Sequence, residues 1–306
     1  MKFVVTGCTS FIGKNLVNLL LNQSHQVIAV CRDMEKARHL LPKHFNLEVI
    51  CLDMNEIHCL AYKMSFTNID VFIHLAWSGG GHEGRNDKEL QMKNVEQSME
   101  ALFMAKILNC KLFVEAGSQA EYGLIKGVLK PETPCHPENE YGKAKLEFGV
   151  KAELFCKNVG MKYLHLRILS IYGEGDKDWT LIISSINKML HNEDVPLSLC
   201  LQTWNYVYIG DAVKQILLLC KYALNNKSFE SGIFLIGSKD TRPLHCFIEE
   251  IYTLTRSQSR LLYGHYKPLN VVELNPDMSK TEMATNGFIS DYTFADGIRT
   301  IIRSIN

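Results

Sequence analysis

The chain of 306 residues balances 33 Lys and Arg against 33 Asp and Glu, for a formal charge of +0. With no basic tail or acidic run, it offers no electrostatic grip on nucleic acid or on an anionic membrane surface. No apolar run is long enough for a bilayer span or a signal sequence, and the ten cysteines are scattered singly from Cys8 to Cys246, which argues against a disulfide scaffold or a zinc site. The expectation is a cytoplasmic protein with reduced thiols and no bound metal, long enough for one large α/β domain or two smaller ones.

Lys2–Thr6 is a short β-branched and aromatic run, and Phe11–Asn22 carries apolar residues at helical spacing, so a strand and a helix are expected. Between them lies Gly7-Cys8-Thr9-Ser10-Phe11-Ile12-Gly13. A strand, a glycine turn and a helix start make an anion site, because free N–H groups and the helix dipole converge on one spot. Gly7 suits the tight turn, and Gly13 suits close packing of helix on strand. The second strand, Gln26–Cys31, leads into Arg32 and Asp33. In a dinucleotide fold an acidic residue at this strand end holds the ribose hydroxyls, whereas a guanidinium suits a 2′-phosphate. Arg32 therefore points to NADP, with a plain surface arginine as the alternative, and Asp33 keeps NAD open. A third strand at 47–52 runs to Asp53 and Met54, where Asp53 is placed to cap a helix over 54–64. The fourth strand, 70–75, continues through Ala76 and Trp77 into a glycine-rich stretch at 78–84, beyond a strand end where open α/β sheets place ligands. His82 and Glu83 in that stretch are either acid/base candidates or solvated loop residues.

A long helical pattern over 86–109 precedes a fifth strand at 111–116, which opens into Gly117-Ser118-Gln119-Ala120-Glu121-Tyr122-Gly123. By itself Ser118 is a turn residue as readily as a reactive hydroxyl. A proline-rich connection delivers the chain to Tyr141-Gly142-Lys143-Ala144-Lys145, at the start of a helix over 139–158. Four residues apart on a helix, Tyr141 and Lys145 share a face. An ammonium beside a phenol favours the phenolate and draws its pKa down from about 10. An ordinary exposed helix face has the same spacing. After a strand at 161–168, the alternation of strand and helix loosens past Gly175.

Together these segments resemble the extended short-chain dehydrogenase/reductases, which include nucleotide-sugar epimerases, dehydratases and ketoreductases. Residues 6–13 are similar to the family's Thr-Gly-x-x-Gly-Phe-Ile-Gly loop, with Ser10 at the middle glycine. Residues 74–77 are similar to its His-Leu-Ala-Ala stretch, 94–98 to Asn-x-x-Gly-Thr/Ser, and 118–123 to Ser/Thr-x-x-x-Tyr-Gly. Residues 137–145 are similar to Pro-x-x-x-Tyr-Gly-x-x-Lys, 166–175 to Leu-Arg-x-x-Asn-x-Tyr-Gly-x-Gly, and 202–211 to Gln-x-Arg-Asp-Phe-x-x-Val-x-Asp.

The resemblance implies an α/β fold, a Rossmann-like doubly wound parallel sheet formed by 1–170 plus 205–238. A smaller C-terminal substrate-binding lobe would comprise 171–204 plus 239–306. Ser118 would hold the substrate oxygen, Tyr141 would move its proton, and Lys145 would lower the tyrosine pKa while bonding the nicotinamide ribose. The cofactor would lie on Gly7, Ser10, Phe11, Ile12 and Gly13, with Arg32, Asp53 and Met54 at its adenosine end. Leu75, Ala76 and Trp77 would flank it alongside Tyr141 and Lys145. Ser118, Gln119, Ser170, Trp204 and Arg242 would contact a nucleotide-sugar substrate. The family has asparagine at Ser170, and at Trp204 an arginine that neutralises the substrate diphosphate. An indole carries no such charge but stacks on a base or sugar, and Arg242 is either the replacement arginine or a solvated helix start. The 4,6-dehydratases carry Asp-Glu directly after the hydroxyl residue, where this chain has Gln119 and Ala120, so dehydration is not expected. With Arg32, the pattern points to NADPH-dependent reduction of a nucleotide-linked 4-keto-6-deoxy sugar of the kind used for bacterial surface polysaccharide. A nucleotide-sugar 4-epimerase with bound NAD is the alternative. From another class, a cofactor-sensing protein on the same fold would be expected to lack the Tyr/Lys pair. The two long helices imply a homodimer.

Overall fold

The first strand, β1 (Lys2–Thr6), is buried along nearly its whole length, as a strand covered on both faces should be. It is followed by α1 (Phe11–Asn22), β2 (Gln26–Cys31), α2 (Met34–Leu40) and β3 (Leu47–Cys51). This computed structural model describes residues 1–65, 67–81, 84–267 and 272–305. The segment expected as one helix over 54–64 is instead a 3-10 turn, Met54–Cys59, running into a short α3 (Leu60–Lys63). Its buried side chains, Ile57 and Leu60, are three apart, and a 3-10 turn stacks i and i+3 on one face. Next come β4 (Val71–His74), α4 (Lys88–Ile107), β5 (Leu112–Ser118), α5 (Glu140–Val159), β6 (Lys162–Ile168) and β7 (Ser170–Tyr172). They are followed by α6 (Leu181–Leu190), β8 (Val195–Pro196), β9 (Thr203–Tyr208), α7 (Ile209–Asn225) and β10 (Gly232–Ile236). The chain closes with β11 (Thr241–Pro243), α8 (Leu244–Thr255), β12 (Leu261–Leu262), α9 (Ser279–Ala284) and α10 (Phe294–Ile305).

Seven strands line up as β3-β2-β1-β4-β5-β6-β10, with parallel pairing from β3 through to β6. Helices cover both faces, which is the Rossmann-like α/β arrangement the sequence points to. Strand order reverses between β1 and β4, the switch point beyond whose carboxyl ends such sheets bind ligands. Two compact units make up the chain, one of residues 1–123, 131–168 and 213–234, the other of 124–130, 169–212 and 235–306. In the first, α4 and α5 pack on each other, over a core that includes Phe72, Phe113, Phe148 and Tyr163. The second contains two small sheets, β11-β9-β7 and β12-β8. Its centre is aromatic, with Phe294 lying 4.8 Å from Phe247 and 5.0 Å from Tyr172 between ring centroids. Among the described residues, no helix is long and apolar enough to cross a membrane.

Candidate active site

The β1–α1 connection is shaped by close backbone contact. Gly7 sits at φ +68°, and a Cβ there would stand 2.7 Å from the Ala76 amide nitrogen. At Gly13 a Cβ would overlap the Gly7 carbonyl. Ser10 uses its polar groups inward: its N–H donates to the Gly7 carbonyl at 3.0 Å, and its Oγ accepts the Gly13 N–H at 3.0 Å. The hydroxyl proton is left to donate from an exposed position. Phe11 and Ile12 begin the helix, where first-turn amides have no intrahelical acceptor. A glycine cradle under those amides fits a pyrophosphate. At the end of β2, Arg32 is exposed and Cys31 buried. The Asp33 carboxylate accepts the Lys36 N–H at 2.9 Å, so the acid that kept NAD open caps its own helix. Asp53 caps the turn after β3 by accepting the Asn55 N–H at 2.9 Å, and Met54 leans on the core.

Leu75, Ala76 and Trp77 leave β4 half-buried. The Trp77 indole N–H donates to Gln91 Oε1 at 2.8 Å. Its ring stands edge-on to Tyr141 at 6.1 Å, and Lys145 Nζ lies 3.5 Å from the ring centroid. α4 ties down the residues that follow: Asn94 bonds both the N–H and the carbonyl of Ser78, and Gln91 donates to the carbonyls of Gly79 and Gly84. His82 and Glu83 lie outside the described residues.

Tyr141 and Lys145 enter on the first turns of α5, which Asn139 caps. Gly142 seats that helix start on the Ala120 carbonyl, where a Cβ would overlap, and the Tyr141 phenol comes under the influence of the Ser118 side chain. Burial raises the phenol pKa above its ordinary value, the Ser118 side chain and the Arg85 guanidinium pull it down, and Glu121 and Glu115 push it up. Lys145 is buried and donates to the Ala116 carbonyl at 2.8 Å. Burial lowers its pKa to about 8 against the pull of Glu115 and Glu121. The Lys145 ammonium thus sits between a carbonyl and an indole face, one helical turn from Tyr141. Arg85 also stands over the phenol, 4.8 Å from the ring centroid, a residue no local pattern marks.

Ser118 ends β5 and caps a 3-10 turn, Gln119–Glu121. Its Oγ accepts the Ala120 N–H at 3.2 Å, and its own N–H donates to Glu121 Oε1 at 2.7 Å. The Ser-x-x-Glu spacing is a capping box, the signal by which Glu121 can be found from sequence. Gln119 Oε1 is buried without a partner. Beneath Ser118, Glu121 also accepts from Arg167 Nε at 2.7 Å and bonds His165 Nε2 at 3.0 Å. Glu115 accepts from the Tyr163 hydroxyl. Burial opposes charge on His165, yet Glu115 and Glu121 hold its pKa above the ordinary value. Burial likewise opposes charge on Glu121, and His165 and Arg167 hold that carboxyl low. At Gly117 or Gly149 a Cβ would overlap the His165 ring.

In the second unit, Ser170 starts β7, and Trp204 on β9 faces Arg242 on β11. The Trp204 Nε1 is buried without a partner. Arg242 is not a solvated helix start: it pairs with Asp240 at 3.1 Å and with Glu250, and its guanidinium lies 4.2 Å from the Phe247 centroid.

The sequence profile of the NAD dependent epimerase/dehydratase family matches residues 3–237. The chain is 30% identical over 259 residues to the dTDP-6-deoxy-L-talose 4-dehydrogenase (NAD(+)) of Aggregatibacter actinomycetemcomitans, covering 82% of this chain and 89% of that protein. It is 26% identical to the dTDP-4-dehydro-6-deoxyglucose reductase of Escherichia coli, covering 99% and 96%. The crystal structure of UDP-glucuronic acid 4-epimerase from Bacillus cereus in complex with NAD superposes with a TM-score of 0.84 at 20% identity, over 100% of this chain and 99% of that one.

Proposed function

The chain belongs to the NAD dependent epimerase/dehydratase family, and on that premise we propose that it is an NADPH-dependent reductase of a nucleotide-linked 4-keto-6-deoxy sugar. The observation that carries this reading is the placement of Tyr141 and Lys145 one helical turn apart on α5, with the Ser118 side chain acting on the phenol. Ser118 holds the substrate carbonyl oxygen and Tyr141 donates the proton to it. Lys145, whose pKa of about 8 lets it bond as a cation near neutrality, holds the nicotinamide ribose. The α1 amides and Ser10 take the pyrophosphate, Arg32 the 2′-phosphate, and Asp53 and Met54 the adenine end. When bound, the nicotinamide supplies the hydride. The unpartnered Gln119 Oε1 accepts from a sugar hydroxyl. The second unit serves as the substrate lobe, where Ser170 and the Trp204 indole take the nucleotide and Arg242 the diphosphate side. Two of the relatives named above are a 4-dehydrogenase and a reductase of dTDP-linked 6-deoxy sugars, which supports chemistry at C-4.

Purified protein given NADPH and dTDP-4-dehydro-6-deoxyglucose is expected to oxidise one NADPH per sugar reduced. The likeness to an NAD-containing 4-epimerase favours the second reading, and tightly bound NAD with no net NADPH consumption would establish it instead. Arg32→Ala is expected to weaken NADPH binding about tenfold, about 1.4 kcal/mol, and to leave NADH binding unchanged in a fluorescence titration. Equal effects on both cofactors would remove Arg32 from the 2′-phosphate site.

A homodimer joined through α4 and α5 completes the proposal. Ile107 on α4 and Val150 and Leu154 on α5 are 64%, 61% and 60% exposed, far more than a monomer's helix pair needs. Light scattering is expected to give twice the chain mass. The double substitution Ile107→Glu, Leu154→Glu is expected to halve it, and an unchanged mass would place the interface elsewhere.

A further inference from the structure

We propose that Glu121 is a positioning residue for the reaction, acting through Ser118 by fixing the strand end from which that hydroxyl meets the substrate oxygen. This role rests on Ser118 holding the substrate carbonyl oxygen, as proposed above. Ser118 is at once the last residue of β5 and the cap of the 3-10 turn. Its N–H donates to Glu121 Oε1 at 2.7 Å, and its Oγ accepts the Ala120 N–H at 3.2 Å. The box holds the residue extended, at φ −146° and ψ 147°. A lone pair of Oγ is taken by Ala120, so what Ser118 has to offer a substrate oxygen is its hydroxyl proton.

Holding one N–H does not by itself call for a buried carboxylate. Glu121 is 0% exposed, and its Oε2 accepts from Arg167 Nε at 2.7 Å and lies 2.9 Å from His165 Nε2. Arg167 donates in turn to the Pro131 carbonyl at 3.1 Å and lies 4.3 Å from the Tyr122 ring centroid. A Cβ at Gly117 would stand 2.7 Å from Glu121 Oε1 and 2.3 Å from His165 Nε2, so strand β5 closes the carboxylate in from behind. Burying such an ion cluster costs desolvation, and its return is a fixed orientation more than stability. A reacting hydroxyl needs that return: it must be held to within about 0.5 Å, and a displacement of about 1 Å costs about 10²-fold in rate.

The test takes Glu121→Gln and Glu121→Asp, each alone and combined with Ser118→Ala, in the NADPH-dependent reduction of dTDP-4-dehydro-6-deoxyglucose. Urea melts on the same proteins supply the folded fraction to which the rates are referred. Glutamine serves at this position of a capping box as glutamate does, so Glu121→Gln keeps the Ser118 acceptor and gives up the charge. Aspartate keeps the charge and falls one methylene short of the Ser118 N–H. Glu121→Gln is expected to unfold at lower urea yet keep kcat within about twofold of wild type. Glu121→Asp is expected to lower kcat and kcat/KM together by about tenfold, the mark of an interaction made in the transition state, with NADPH affinity unchanged. In the Ser118→Ala background the Glu121→Asp loss should vanish, because no hydroxyl is left to place. His165→Asn, which releases the same carboxylate on one side, takes its place in the cycle if Glu121→Asp does not fold, with the same Ser118-dependent loss expected. A loss that persists in full without Ser118, or a kcat that follows the urea midpoint across the variants, makes Glu121 a structural residue and overturns the proposal while Ser118 stands. Normal turnover by Ser118→Ala would overturn the reading of Ser118 itself.

Discussion

Tyr141→Phe is expected to lower turnover by about 10²- to 10⁴-fold while NADPH still binds. The substitution deletes one oxygen and keeps the ring, so the edge-on contact with Trp77 at 6.1 Å and the Arg85 guanidinium over the face remain. What is lost is the phenol proton beside the Ser118 side chain. Steady-state kcat/KM on a nucleotide-linked 4-keto sugar and a cofactor fluorescence titration separate the two effects. A variant that binds NADPH and turns over at the wild-type rate would end the assignment of Tyr141. A variant that neither binds nor turns over would show a packing defect, which Ser118→Ala, with its smaller change, would then distinguish from chemistry.

Glu121→Ala is expected to lower the free energy of unfolding by about 3–5 kcal/mol. The carboxylate accepts from Arg167, from His165 and from the Ser118 amide, and none of these donors has water at hand once it is gone. Two buried cations are left against Glu115, whose carboxyl burial drives toward the neutral form. Glu121→Gln should fall between, since its amide oxygen still accepts from Ser118. The pH dependence has a definite sign. The Glu121 carboxyl is held below its unfolded value, so its contribution is present above that value and lost as pH falls through the lowered one. His165 is held above its unfolded value, so its contribution is complete below that value and lost as pH rises through the raised one. Urea midpoints plotted against pH should therefore fall on both flanks in wild type and flatten in Glu121→Ala. An unfolding free energy within about 1 kcal/mol of wild type would mean the cluster is dispensable.

What could be read from the sequence was whatever is local along the chain. β1, the glycine loop and α1 are specified by consecutive residues, and Lys2–Thr6 and Phe11–Asn22 are the elements observed. The Tyr141–Lys145 spacing placed both residues on the start of one helix for the same reason. The Met54–Cys59 turn escaped because Ile57 and Leu60 satisfy helical and 3-10 spacing alike. Relations between distant segments were not legible. That Arg85 covers the Tyr141 ring, that Trp77 covers Lys145, and that Arg242 is matched by two carboxylates depend on side chains meeting through space, with no period or motif to announce them. Glu121 was the intermediate case, spelled by a four-residue box with Ser118 but given its weight by His165 and Arg167 on another strand.

Gly117 on β5 and Gly149 on α5 wall the imidazole of His165 on β6 with no room for a methyl group on either side. A lineage that keeps this histidine can accept a side chain at neither glycine, and the glycines become free to vary only after the ring has been replaced by something smaller. Three positions on three separate elements thus drift as one. Any order of substitution that changes a glycine first passes through a destabilised ancestor, so the fold narrows the evolutionary routes by which the ground beneath Ser118 can be rebuilt.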